Sequence, residues 1–367
     1  VTGEEWQCGD LQTPRLAELR DRVGKKARRK SPPRLREVVA DVQKLHCDVE
    51  NAGAMFQVAS QFNLLEMIGP DRVPEMGVGI YESDPTQGPA CAIACGAGTI
   101  YRNYFAEVNG QVGQSSHNQI DCLSDLGSRL GNRGEKLWRM TNGYALPSDA
   151  GVPYLTGIAE QYACETTCDA PLSSSHNQID CLSDLGSRLG NRGEKLWRMT
   201  NGYALPSDEG LEAVNRQLAA MEEAERDELR GLLRIGLHLD TQVTLKGASH
   251  VVSQAYCSAM PVRYGTPASE RWRPLATLVL EAAYEATILA AIENAERTRI
   301  NRLFLTLLGG GAFGNMTAWI TDAISRAVLR YPHSGLDIAI VSYGQSKPTT
   351  HDHVERLNQQ LRSEPEA

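Results

Sequence analysis

The chain has 367 residues, with 37 Lys+Arg against 45 Asp+Glu for a net charge of −8, and is 41% hydrophobic but only 6% aromatic. These are the proportions of a globular protein long enough for one large domain or two ordinary ones. No stretch approaches the roughly 18 consecutive apolar residues of a membrane span, which excludes a membrane protein, and the opening VTGEEWQCGDLQTP lacks the basic start and apolar run of a signal peptide.

Residues 22–36 (RVGKKARRKSPPRLR) carry eight Lys/Arg and no acid, a composition shared by nuclear-import signals, nucleic-acid-binding arms and solvated basic tails. The remainder is acidic and would repel a phosphate backbone. A disordered basic tail over 1–36 is therefore expected, with nucleic acid not a main partner and an intracellular, cytoplasmic or nuclear, location. From Val38 to Ser60 the sequence reads as two strand-like runs around a polar turn. Residues 77–105, rich in Gly, Pro and small side chains, read as loops and strands.

Residues 115–149 then recur without one change at 174–208. The 35 repeated residues and the 24 between the copies make a 59-residue unit, without which the chain would have 308 residues. Identity without divergence points to a recent duplication or a faulty gene model rather than a repeat architecture, which needs more units. Each copy can form a short helix, around Asp121–Leu130 or Asp180–Leu189, and a charged helix follows at Glu209–Leu233.

The C-terminal third alternates most clearly: strand His250–Ser258, helix Pro274–Glu296, strand Arg302–Leu308, a glycine loop, an amphipathic helix through Trp319 and Ile324, and strand Asp337–Tyr343. Apolar strands alternating with amphipathic helices imply a mainly parallel sheet covered on both faces. Such sheets bind ligands at the carboxyl ends of their strands. A single domain over 37–345 is expected, with a helical insertion at about 106–240 and a polar tail over 346–367. The nine cysteines have no zinc-finger spacing and read as reduced, buried thiols, so no metal or cofactor is expected.

Gly309, Gly310, Gly311 and Gly314 stand between a strand and a helix, where close backbone approach, free N–H groups and a helix N-terminus favour an anion such as phosphate. Asn315-Met316 follows instead of Lys-Ser/Thr, so the loop is not a nucleoside-triphosphate P-loop. Although Gly309-x-Gly311-x-x-Gly314 matches the dinucleotide fingerprint in letters, it lies near the C-terminus and lacks an acid after the next strand.

Three anchors in this order resemble a macrodomain, the ADP-ribose-binding α/β/α module. ADVQKL (40–45) is similar to its GDIT-like strand, which would place Asp41, with Val42, at the adenine. AMFQVASQFN (54–63) is similar to its VDAIVNAAN strand, which would turn Asn63 and Gln61 to the distal ribose. Gly309, Gly310, Gly311, Ala312, Phe313, Gly314 and Asn315 resemble the STGIFG loop around the diphosphate. ASQFNLLE (59–66), DPTQGPACAIA (84–94), IYRNYF (100–105), QAYCSA (254–259) and LLGGGAFGN (307–315) further resemble the divergent MavL-type macrodomain proteins, across about 38–345 apart from the extra unit. The resemblance implies a three-layer α/β/α fold with a mainly parallel mixed sheet. It also implies hydrolysis of ADP-ribose from arginine of a modified protein such as ubiquitin; a non-catalytic ADP-ribose reader or a binder of another nucleotide diphosphate is the alternative. The chain departs from ordinary macrodomains in lacking their glycine-rich first loop, and has CGAGTIYRN (95–103) instead.

Cleavage at ribose C1 passes through an oxocarbenium-like transition state and calls for a carboxylate to activate water or orient the ribose. Asp84, Asp240 and Glu66 are the candidates. Each also has an ordinary reading: a turn residue before Pro85, a strand boundary and a solvent-facing carboxylate.

Overall fold

Runs such as MFQVA, RLFL and DIAIVS are short and apolar on both faces, which suits strands sandwiched between helical layers. The structure, a computed structural model, describes residues 3–23, 31–67, 72–108, 110–115, 138–141, 144–147, 182–191, 196–200, 203–206, 208–245, 247–264 and 268–363. In chain order the elements are β1 (Asp10–Gln12), α1 (Leu16–Val23), β2 (Arg34–Val39), α2 (Val42–Cys47), β3 (Met55–Ala59), α3 (Gln87–Ala94) and α4 (Gly96–Ile100). A π-helical turn, Tyr101–Phe105, follows α4. Then come β4 (Glu107–Val108), β5 (Gln111–Val112), β6 (Trp138–Thr141), β7 (Tyr144–Pro147), α5 (Ser183–Leu189), β8 (Trp197–Thr200), β9 (Tyr203–Pro206), α6 (Asp208–Ala220) and α7 (Glu223–Gly231). The last third supplies β10 (Gly236–Gln242), β11 (Val251–Cys257), α8 (Arg273–Thr298), β12 (Arg302–Leu305), α9 (Thr317–Arg330), β13 (Asp337–Ser342) and α10 (Pro348–Ser363).

Seven strands form one sheet in the order β1-β10-β11-β3-β12-β13-β2. β11, β3, β12, β13 and β2 are parallel neighbours, and β10 runs antiparallel between β11 and β1. α1, α7, α8 and α9 pack together on one side, whereas α2, α3 and α4 pack on the other, giving the three-layer α/β/α architecture. At the centre, His46 of α2 stacks on Phe56 of β3 at 3.8 Å and Phe56 on Phe304 of β12 at 4.5 Å. α8 is long and apolar enough to cross a membrane by length and composition, but its side chains are mostly buried inside the protein.

Several segments differ from their sequence reading. Residues 10–23, expected within the tail, supply an edge strand and a helix whose Leu16, Leu19 and Val23 are buried. The C-terminal segment expected as a polar tail contains α10, which lays Val354, Leu357 and Leu361 against the core. Its apolar residues recur at helical spacing among many polar ones. The first strand-like run after Val38 ends at Val39 because Asp41 caps a helix, its carboxylate accepting from Gln43 N at 2.8 Å. Residues 87–105 are largely helical rather than strands and loops. Small residues there serve close packing: a Cβ on Gly88 would stand 1.9 Å from Ala59 O, and one on Gly98 would stand 2.4 Å from Thr241 Oγ1.

The repeated segment enters the core through its second copy. Leu182, Leu185, Leu189, Leu196 and Trp197 are buried there, and Asn191 ties the segment together by accepting from Leu196 N and Trp197 N. From the first copy the described residues are the hairpin β6–β7, with the same register as β8–β9; its expected helix and Cys164/Cys168 lie outside the described residues. The expected helix 209–233 is two, because Glu222 and Glu225 form a capping box that starts α7 anew.

Candidate functional site

A cavity of about 230 Å³ lies beyond the carboxyl ends of β3, β11 and β12, the three central parallel strands. Its walls come from Ala59–Gln61, the start of α3, Ala259 and the glycine loop. This is where a parallel sheet gathers loop ends and helix N-termini that can meet a ligand.

Past β3, the chain folds back through a tight turn in which Leu64 N donates to Gln61 O and Asn63 Oδ1 accepts from Leu65 N at 3.1 Å. Leu64 takes a left-handed φ of 61°, and its side chain fits because Gly236 has none: a Cβ there would stand 2.6 Å from Leu64 Cδ1. The turn delivers Glu66, 2% exposed, to the cavity wall. The strand is continued sideways by Gln87, whose Oε1 accepts from Ala59 N and whose Nε2 donates to Gln57 O, both at 2.8 Å. That anchor and Gly88 bring the N-terminus of α3 against the cavity. Asp84 lies on the same wall, half-buried, with Oδ1 accepting from Thr86 N at 2.9 Å.

The opposite wall is the glycine loop. Tyr284 fixes its root, donating its hydroxyl to Thr306 O at 2.7 Å and accepting from Leu308 N at 2.9 Å. Asn315 closes the loop: its Nδ2 donates to Met260 O at 2.7 Å and its N–H donates to Gly309 O at 2.9 Å. Gly309 has φ 72°, and a Cβ there would stand 2.6 Å from both Ala259 Cβ and Asn315 Nδ2. Gly311 faces open space. Phe313 meets Tyr264 edge-on, ring centroids 6.0 Å apart, and both line the cavity.

Glu66 dominates the electrostatics. Burial pushes its carboxyl up to about 7, against the charge and hydrogen bond of Arg102 and the hydroxyl of Ser60. Arg102 Nη2 reaches Glu66 Oε2 at 3.4 Å, and both side chains are sealed from solvent. One wall thus carries a carboxyl that gains or loses a proton near neutral pH, and the other presents backbone N–H groups suited to an anion.

Of the residues singled out from sequence, Glu66, Asp84, Gln61, Gly309, Gly311, Ala312 and Phe313 are brought together around the cavity. Gly310, Gly314 and Asn315 shape the loop: Gly310 N bonds Leu307 O, and Gly314 N bonds Gly311 O. Asn63 sits inside the turn. Asp41 and buried Val42 start α2, outside the cavity walls. Asp240 stands at the other end of the sheet, beside Ser253 at the start of β11, with its carboxylate paired to Arg297. Arg102, Gln87, Gly88 and Tyr264 were not legible as site residues. IYRNYF offered a cation among aromatics, but nothing in its spacing announces a π-helical turn buried behind the cavity.

An α/β/α protein with a cavity at its strand ends is thus defined. Among solved structures the chain is similar to poly(ADP-ribose) glycohydrolase from Deinococcus radiodurans in complex with ADP-ribose, at 13% identity and TM-score 0.27, over 35% of this chain and 53% of that one. It is also similar to a point mutant of that enzyme with ADP-ribose, at 10% identity and TM-score 0.39, over 96% and 94% of the two chains. No protein-family model and no curated protein matches the chain. At these TM-scores the reading of function rests on the cavity's own residues.

Proposed function

We propose that the chain is an ADP-ribosyl hydrolase that frees ADP-ribose from a modified protein, with arginine as the linkage and a ubiquitin-type substrate. The observation that carries this reading is a sealed carboxyl, Glu66, facing an anion-receiving glycine loop in one cavity. The loop from Gly309 to Phe313 receives the diphosphate, and Glu66 lies at the ribose. As a carboxylate, Glu66 takes a proton from water while the water oxygen bonds C1 and the C1–N bond breaks; the departing guanidine keeps the bond pair and takes up that proton from Glu66. A group titrating near 7 exists in both forms at neutral pH and can accept that proton and pass it on. Asp84, on the same wall, pairs with the target's guanidinium.

The test is incubation with ADP-ribosylarginine ubiquitin, alongside calorimetry with free ADP-ribose. Release of ADP-ribose supports the enzyme. Binding without release leaves a reader module, a role the loop alone could serve. Absence of binding at tens of micromolar removes the ADP-ribose reading in favour of another nucleotide diphosphate.

A further inference from the structure

Arg102 lies behind the cavity wall, fully buried, in the π-helical turn that follows α4. Such turns are rare and concentrate at functional sites. Its guanidinium is held on every side: Nε donates to Leu64 O at 3.1 Å, Nη1 to His238 Nδ1 at 3.3 Å, and Nη2 to both Thr99 Oγ1 at 3.3 Å and Glu66 Oε2 at 3.4 Å. The ring of Tyr256 lies beneath it, 3.9 Å from centroid to Cζ. An arginine can offer a carboxylate two parallel bonds. Here it offers one, long and shared.

We propose that Arg102 is the positioning residue for Glu66, holding Oε2 from behind through one shared nitrogen and leaving Oε1 for the ligand. This rests on the reading of Glu66 as the acting group. Oε1 makes no hydrogen bond among the described residues. A bidentate pair would lock Glu66 as a permanent carboxylate, and no cation at all would leave it a permanent acid. The shared bond keeps both states within reach. Arg102 also fixes the Leu64 carbonyl, so the same side chain sets the turn that carries Glu66.

Apart from the Ser60 hydroxyl, which also favours the carboxylate, the neighbouring groups leave that balance to Arg102. Tyr81, Tyr256, Cys91 and Cys95 are each pushed up by burial and stay neutral. His238, lowered to about 3 by burial and then by Arg102, is also neutral. Because Arg102 can only donate, His238 Nδ1 accepts and the ring proton sits on Nε2. Asp84 is the other carboxyl on the cavity wall.

The experiment follows the Glu66 side-chain carboxyl by carbon-13 NMR across pH in the ligand-free protein, with Glu66→Gln assigning the signal, and in parallel the pH profile of ADP-ribose release. Arg102→Met should move the titration midpoint upward by about 1 pH unit or more, the effect of removing an adjacent opposite charge. The acid limb of turnover should move with it, and Arg102→Lys should recover part of the shift. Thr99→Val, close in shape and free of the folding risk of losing a buried arginine, releases Nη2 to Glu66 and should move the midpoint downward. Unchanged midpoints in Thr99→Val and in folded Arg102→Met would overturn the proposal. The NMR titration needs no turnover, so an inactive protein would defeat the hydrolase reading while the midpoints still judged Arg102.

Discussion

Two glutamates among the described residues are sealed from solvent, and they behave in opposite ways. Glu285 on α8 accepts from Arg20 Nε at 2.7 Å and Nη2 at 2.9 Å, from Arg326 Nη1 at 3.0 Å and from the Tyr331 hydroxyl at 3.0 Å, with Arg330 Nε 3.1 Å away. Burial works against its charge, yet these donors hold its carboxyl below the usual carboxylate range. Glu66 has one cation, Arg102 at 3.4 Å, and the Ser60 hydroxyl, and there burial prevails. Two carboxyls closed to solvent thus shift in opposite directions, and the number and geometry of the donors set them apart. Glu285 joins α1, α8 and α9 in an ionic cluster, whereas Glu66 keeps Oε1 without a hydrogen bond among the described residues.

The sharpest way to break this contrast is Glu66→Gln, which should lower ADP-ribose release about 10²–10⁴-fold, the usual worth of a general acid–base group, while calorimetry finds ADP-ribose still bound. Glu285→Gln should do the reverse. It leaves Arg20, Arg326 and Arg330 to share Asp227 and should cost about 1–3 kcal/mol in urea unfolding, with turnover per folded molecule unchanged.

The pH dependence of stability should separate the two sites further. Glu66 is raised in the folded state, so between about 4.5 and about 7 the folded protein holds a proton that the unfolded chain has released. Stability relative to Glu66→Gln should fall as pH rises through that window, by roughly 3 kcal/mol in all, at about 1.4 kcal/mol per pH unit. Glu285 is lowered, so its contribution is full at neutral pH and is lost as pH falls below the ordinary carboxylate range.

Gly309→Ala sharpens the loop side of the cavity. A left-handed φ and a clash with Ala259 should cost about 1–2 kcal/mol and weaken ADP-ribose binding in calorimetry. Asp240→Asn, at the far end of the sheet, should cost about 1 kcal/mol or less because its pair with Arg297 is half-exposed, and turnover should be unaffected.

Much of the fold was legible because the C-terminal third obeys simple periodicities: α8, β12, α9 and β13 lie where alternating apolar runs put them. The glycine loop and Glu66 were legible as candidates, from the strand–glycine–helix order and from a resemblance in the surrounding motif. What brings them to one cavity was not. Gln87 and Gly88 read as loop residues, yet they complete the edge of β3, a tertiary demand that local propensity does not carry. Asp84 and Asp240 both stand before Thr or Pro-Thr in polar surroundings, but the direction of β10 carries Asp240 to the other end of the sheet.

The repeated segment has a final consequence. Leu185, Leu189, Leu196 and Trp197 fill one seat in the core, and the sequence supplies the same side chains again as Leu126, Leu130, Leu137 and Trp138. The sequence thus encodes that set of side chains twice, so a substitution at Leu185 leaves an unaltered leucine at the equivalent position, Leu126.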